Sequence, residues 1–469
     1  MKLMSLSERV SVVFLLFLAL TAAGAPSASA KPAEEARAIL AKAGVRGGLA
    51  VHLGTADGTL TLALGRQFSG TVQGLTGSLQ HMQRGRRRIR KADRYGNISV
   101  RLLRSKRLPY ANSLVSLVVV SNPDLAPRRE VMRILQPGGT VCIKKEGGWT
   151  TKVKPRAADT DSWTHYLHGP SGNAVSQDSE VDLPRSVQWV APPKWGRSHE
   201  QAASTSACVT AGGRIFYIAD FGPRADIRLP SRWKLVARDA YNGVKLWSRP
   251  IDEWVSRLRR FRSGPAHLPF RLVAGKDRVF VTLGITAPVS VLNAATGELV
   301  RKVDSSAYTK QILHRGNALA LLLDRDMTRM KKIDRARRRG KYISRRCAIA
   351  RADAGTGNVD WTHKVKQLVY PGMVLGGGRV FYQTPDRLHC LDFESGRELW
   401  SVKLQAESLP SGRKRKQGEL QWGTPTLTVN DGRVFVADNK KLVALRATDG
   451  KRLWSGPARR GYNSPPDVF

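Results

Sequence analysis

The sequence predicts a two-domain chain, with a doubly wound α/β unit over 31–155 followed by an all-β, incomplete β-propeller over 156–469. Three observations carry that expectation. A turn-and-strand pattern recurs five times in the C-terminal two thirds, and repetition at fixed internal spacing is the signature of a repeat architecture. Upstream of it, an apolar strand enters a Gly-bearing turn and then a helix, which is how a parallel sheet with crossover helices begins. The first thirty residues follow neither pattern and have the order of an export signal. A chain of 469 residues also exceeds what one hydrophobic core holds.

The export signal comes first. Lys2 and Arg9 precede an apolar run from Val10 to Ala23, and small residues lead to Ala28-Ser29-Ala30, after which cleavage is expected. The run is shorter than the roughly 20 residues a spanning helix needs, so the mature protein is expected to be periplasmic or extracellular, with no integral membrane segment.

Residues 31–155 read as the α/β unit. Pro32–Ala43 is helix-like, Gly48–Leu53 is an apolar strand, and Gly54-Thr-Ala-Asp-Gly58 is the turn that follows. Leu114–Val120 has the composition of a buried strand. Glu130–Gly139 reads as a helix ended by Pro-Gly-Gly, before a strand over Thr140–Ile143. With Arg133-Ile-Leu-Gln-Pro-Gly-Gly139 as its most specific block, this region resembles class I S-adenosylmethionine-dependent methyltransferases. That resemblance implies a cofactor loop after the first strand, matched here only by Gly54 and Gly58. His52 and Ala56 stand where the family has an acid and a second glycine, and Thr76 stands where the family has the acid that holds the ribose. The same turn serves equally well as plain strand-to-helix geometry. An exported protein also has no supply of this cytoplasmic cofactor, so the domain is expected to be a retained scaffold or interaction module.

The repeats follow. Asp239–Trp247, Asn293–Arg301, Asp353–Trp361, Asp392–Trp400 and Arg446–Trp454 share an Asp or Asn, then Gly four residues on, then Trp four further on; Arg301 and Arg446 are the departures. Asp or Asn closes an Asx-turn, Gly supplies the positive φ of a tight turn, and Trp offers a large face for the next sheet. Gly213-Arg-Ile-Phe-Tyr217 and its copies at 277–281, 378–382 and 432–436, with a weaker one at 316–320, supply a further strand to each unit. Four-stranded sheets repeated radially make a propeller. The pattern resembles the pyrroloquinoline-quinone (PQQ) repeat of quinoprotein dehydrogenases and of the propeller lipoprotein of outer-membrane assembly. Trp163–Asn173 resembles the family's opening segment, with Val187–Val190 as its first strand. Pro465–Phe469 falls where the spacing would begin another strand, hence the expectation of an incomplete ring.

A quinoprotein reading implies PQQ and calcium in a central channel, a catalytic Asp and often a disulfide between neighbouring cysteines. Cys142, Cys208, Cys347 and Cys390 are far apart, and three of them lie in apolar strand-like stretches where a buried thiol is the commoner state. The hairpin Asp residues, Asp239, Asp353 and Asp392, are explained by turn closure. Asp161, His165, His168 and His199 have the chemistry of metal ligands, but a loop or strand does not put His165 and His168 on one helical face, and a structural role is expected. No catalytic or metal residue is therefore assigned.

Lys and Arg number 78 against 37 Asp and Glu, a net charge of +41. The basic stretches are Arg84–Lys91, Arg257–Arg262, Asp324–Arg346 and Arg413–Lys416, the third reading as a helix inserted in a blade loop. It contains one aromatic, Tyr342, too few for the stacking that nucleic-acid binding adds. Envelope proteins or anionic polymers are the expected partners, or else the charge is a solvated exterior. The leading reading is a non-catalytic binding or scaffold protein of the cell envelope, with a PQQ-dependent dehydrogenase and a methyltransferase as the alternatives.

Overall fold

A computed structural model describes residues 30–184, 186–196, 204–226, 228–252, 254, 268–325, 346–366, 368, 372–384, 386–404, 426–437 and 441–458. Residues 1–29, where the export signal is expected, His199, the basic stretches at 257–262 and 413–416, most of 324–346, and Pro465–Phe469 lie outside the described residues. The chain divides into two compact units at Lys154/Pro155.

The first unit is a six-stranded sheet in the order β3-β2-β1-β4-β5-β6. Its strands are β1 (Gly47–Leu53), β2 (Ser69–Thr76), β3 (Ile98–Leu102), β4 (Val115–Val120), β5 (Leu135–Lys145) and β6 (Gly148–Val153), all parallel except β6, which runs antiparallel to β5. Alternate residues go to opposite faces. Ala50, Val72, Leu117 and Val119 pack against α1 (Ala30–Ala43) and α2 (Thr59–Gln67); Val51, Leu53, Leu75 and Val118 meet Leu108 and α4 (Arg128–Ile134) on the other face. The helix expected to run up to Pro137-Gly-Gly stops at Ile134. Leu135 pairs with Val115, so the Leu-Gln-Pro-Gly-Gly block is the irregular start of β5, with the register shift falling between Val115 and Leu117.

α3 (Leu79–Lys91) covers the β3 edge. Ser78 caps it by accepting from the His81 amide at 3.3 Å, and Gly85 and Ile89 form its buried face. Like charges at 84/87, 84/88, 87/91 and 88/91 each cost about 0.2–0.5 kcal/mol. Arg88, Arg90 and Lys91 in the last turn recover a similar amount from the helix dipole. Arg84 and Arg87 have no such offset.

The second unit is five four-stranded antiparallel sheets in chain order, β7–β10 (205–250), β11–β14 (272–302), β15–β18 (309–365), β19–β22 (373–403) and β23–β26 (426–457), each with the form of a propeller blade. The first strands β7, β11, β15, β19 and β23 lie against one another in succession. In every sheet the pairing of third and fourth strands shifts register just after the Gly turn, so Leu246, Val300, Asp360, Leu399 and Leu453 are each one residue extra. The bulge sets the direction of the next side chain, the Trp of the repeat.

That Trp packs on the turn glycine of the following sheet. A Cβ on Gly297 would lie 2.4 Å from the Trp247 ring, and Trp247 Nε1 donates to Ala294 O at 3.0 Å. Trp361 and Trp400 repeat both contacts with Gly396 and Phe393 O, and with Gly450 and Ala447 O. Where Arg301 replaces Trp, the joint is closed by backbone, with Asp304 N donating to Gly357 O at 2.9 Å. Val187–Val190 is not a laddered strand; Trp189 nevertheless does what the Trp of a preceding sheet would do, packing on Gly243 and donating to Ala240 O at 3.0 Å.

Candidate functional site

The turns carry the hairpin acids as structural groups. Asp239 Oδ1 accepts from the Tyr241 and Asn242 amides, Asp353 Oδ1 from Thr356 N at 2.6 Å and Asp392 Oδ1 from Ser395 N at 2.8 Å. Hydrogen bonds from Thr356 and from Ser395 hold Asp353 and Asp392 below the usual carboxylate range. In the fifth copy Arg446 instead pairs with Asp449, whose Oδ1 accepts from Lys451 N.

Where the five first strands meet, residues 163–171 form a hub. The Trp163 carbonyl accepts from Thr210 N at 2.7 Å, Thr164 O from Ala274 N at 3.0 Å, Pro170 O from Leu375 N at 2.8 Å and Ser171 O from Val429 N at 3.0 Å. In the third sheet the acceptor is a side chain, His165 Nε2, which receives His314 N at 3.0 Å. Counted back from Arg214, Arg278, Ala318, Arg379 and Arg433, every donor stands at the same position, four residues upstream. One segment thus satisfies the equivalent amide of all five sheets, groups that would be costly if buried and unpaired.

This fixes the tautomer of His165. An amide can only donate, so Nε2 is unprotonated and Nδ1 carries the hydrogen, which goes to Thr164 Oγ1 at 2.8 Å. Thr164 Oγ1 donates onward to His168 O at 3.2 Å. Burial, then the neighbouring His314 and His168, push the His165 pKa down to about 3. His168 faces elsewhere: its Nε2 lies 2.8 Å from Asp161 Oδ2, and Asp161 also accepts from Ser176 Oγ and Gln177 N. Burial alone would raise the Asp161 pKa, but these hydrogen bonds outweigh it and hold it low. The structure therefore joins Asp161 to His168 and sends His165 into the hub.

A quinone does not fit these residues. The equivalent amides of the five first strands are taken by the hub and offer a carboxylate-bearing quinone no donor. The apolar space beside it, lined by Tyr166, Leu167, Phe270, Leu313 and Met373, has Gln311 at its wall, and that amide is held by Met373 N and O at 3.0 and 2.7 Å. Among the described residues no cluster of three His, Cys, Asp or Glu side chains is placed to hold a metal ion. Cys142, Cys347 and Cys390 are buried and Cys208 is exposed.

In the first unit the sequence-matched glycines lie at the carboxyl ends of the parallel strands, where a doubly wound sheet binds ligands. Both face protein. A Cβ on Gly54 would meet Asn122 N at 2.6 Å, and one on Gly58 would meet Gly85 Cα at 2.7 Å. Gly54 N and Thr55 N donate to Leu75 O, and Ser121 N and Asn122 N to Leu53 O, so these four amides are spent on strand-end carbonyls. His52, 3% exposed, bonds Thr61 Oγ1 and Ser121 Oγ at 2.8 Å each, and Thr55 joins through Thr61. Burial, and then Lys144, lower the His52 pKa to about 4. Thr76 accepts from Ser78 N. These residues do not fit S-adenosylmethionine either. Neither the hub contacts nor the His52 network is written in a motif; only the resemblance of Trp163–Asn173 to an opening segment pointed to the hub.

A PQQ-repeat family model described as outer membrane protein assembly factor BamB matches residues 345–467. No curated protein matches. Over the N-terminal region the chain is similar to several solved structures. One is a putative S-adenosylmethionine-dependent methyltransferase from Methanococcus maripaludis (23% identity over 24% of this chain and 54% of that one, TM-score 0.23). Others are the [4+2]-cyclase SpnF (20%, 26% and 48%, TM-score 0.23) and geranyl diphosphate C-methyltransferase from Streptomyces coelicolor A3(2) (23%, 24% and 45%, TM-score 0.22). The chain spans about half the length of each.

Proposed function

We propose that this chain is an exported, non-catalytic binding or scaffold protein of the cell envelope. The observation that carries the reading is that both places where a cofactor would sit are occupied by the chain's own groups. The hub takes the equivalent amides of the five first strands; Asn122, Gly85 and the His52 network close the loop of the α/β unit. The order of Lys2, Arg9, the apolar run and Ala28-Ser29-Ala30 supports export, as does the match to an outer-membrane assembly factor. Among the described residues no helix is long and apolar enough to cross a membrane.

Calorimetric titration of the full chain tests it. Neither PQQ with calcium nor S-adenosylmethionine should give binding heat at millimolar ligand. Stoichiometric binding of either, with dye-linked oxidation or methyl transfer, would replace this reading with the corresponding enzyme. N-terminal sequencing of protein recovered from the envelope fraction should begin at Lys31.

A further inference from the structure

The basic charge of the α/β unit is concentrated on α3. Its inner face is Gly85, packed 3.0 Å from Val100 at the Cβ position, and Ile89. Arg84, Arg87, Arg88 and Lys91 follow the spacing i, i+3, i+4, i+7 and so share the opposite, exposed face, with successive turns about 5.4 Å apart. Asp57 pairs with Arg88 at 2.6 Å; Arg84, Arg87 and Lys91 have no ion-pair partner among the described residues. Beyond the β3 edge Arg104 and Arg107 are also exposed.

We propose that this ridge docks an extended, base-free phosphodiester polymer. This rests on the binding-protein reading above and names its partner. Cations spaced a helical turn apart match a linear polyanion better than a single small ion. Arginine predominates, and its planar fork suits phosphate oxygens in pairs. A protein partner or insertion into a membrane would need an apolar centre, but the large exposed apolar side chains here are Leu79, at the start of the helix, and Tyr95. Tyr95, with Arg90 over its ring at 5.0 Å, is a single aromatic, fewer than the series of rings that base stacking uses.

The test uses the full chain and a fluorescent propanediol-phosphate oligomer of about ten phosphates, titrated over a salt series. The triple variant Arg84→Gln, Arg87→Gln, Lys91→Gln should bind about tenfold or more weakly, with the slope of log K against log salt reduced by about 2. A control triple at exposed positions of the second unit, Lys245→Gln, Lys451→Gln, Arg452→Gln, should stay within about twofold of the parent. If the ridge triple fails to fold, Arg87→Gln alone should show about a two- to threefold loss. Equal loss in both triples would overturn the proposal in favour of net charge, and so would no binding at all. A thymidine oligomer of equal phosphate number binding tenfold tighter, or binding confined to anionic vesicles, would overturn it in favour of nucleic acid or membrane. None of these outcomes bears on the cofactor titrations, so the two readings fail separately.

Discussion

The repeated sheets and the α/β unit close their glycine turns differently. In the sheets an indole from one blade lies on the glycine of the next, as Trp247 does on Gly297, so each turn is also a joint. In the α/β unit Gly58 meets the Gly85 backbone and Gly54 meets Asn122, so both glycines face protein. A Gly-bearing loop thus signals close approach in both units, and only the surroundings say whether the neighbour is a ring, a helix or a cofactor.

The largest effect should come from removing a ring from such a joint. Trp247 is 9% exposed, so Trp247→Ala should cost about 3–5 kcal/mol, read as a lowered urea midpoint with tryptophan fluorescence as probe. A backbone joint should be somewhat less costly to break. Gly58 has φ 83°, and Gly58→Ala combines strain with the clash at Gly85, for about 2–4 kcal/mol. If Gly58→Ala were neutral, the loop would have room, and the closed-loop account would fail.

The repeats were legible because Asp, Gly and Trp each do one local job at a fixed spacing, repeated five times. The doubly wound class of the α/β unit was legible from its apolar strands and the Gly-bearing turn, whereas its strand order was not. The end of α4 was misread because Pro-Gly-Gly looks like a helix stop, while Leu135 is drawn into the ladder opposite Val115. The hub was not legible, since its contacts are main-chain carbonyls, which carry no side-chain signature. Its one side-chain acceptor, His165, lies 149 residues from its donor His314.

The two units can also be separated by pH, because each holds one deeply buried neutral histidine. His52 and His165 have folded pKa values of about 4 and 3 against 6.5 for the free side chain. The unfolded chain therefore binds more protons below pH 6.5. The stability these groups contribute is complete above that pH and is lost as the pH falls toward the folded values, by up to about 1.4 kcal/mol per unit for each. The lowered carboxylates, such as Asp161, add their loss only around and below pH 4. Urea midpoints at pH 7 and pH 5 should therefore differ. His165→Gln, which keeps an acceptor for His314 N, should remove about 2 kcal/mol of that difference from the sheet unit and leave the α/β unit's share intact.

The smallest effect sharpens the joint itself. Trp454 occupies the same repeat position as Trp247, follows the same bulge, and touches Phe435 of its own sheet at 6.3 Å between centroids. It is nevertheless 47% exposed. If the stabilisation belongs to the joint and not to the motif, Trp454→Ala should cost no more than about 1 kcal/mol in the same urea experiment, several-fold less than Trp247→Ala. Equal costs at the two positions would mean that the indole works mainly within its own sheet, through the bulge and the ring beneath it, and that the contact to the next glycine is incidental. Unequal costs would place the energy between sheets, where nearest-neighbour terms stabilise a repeat array.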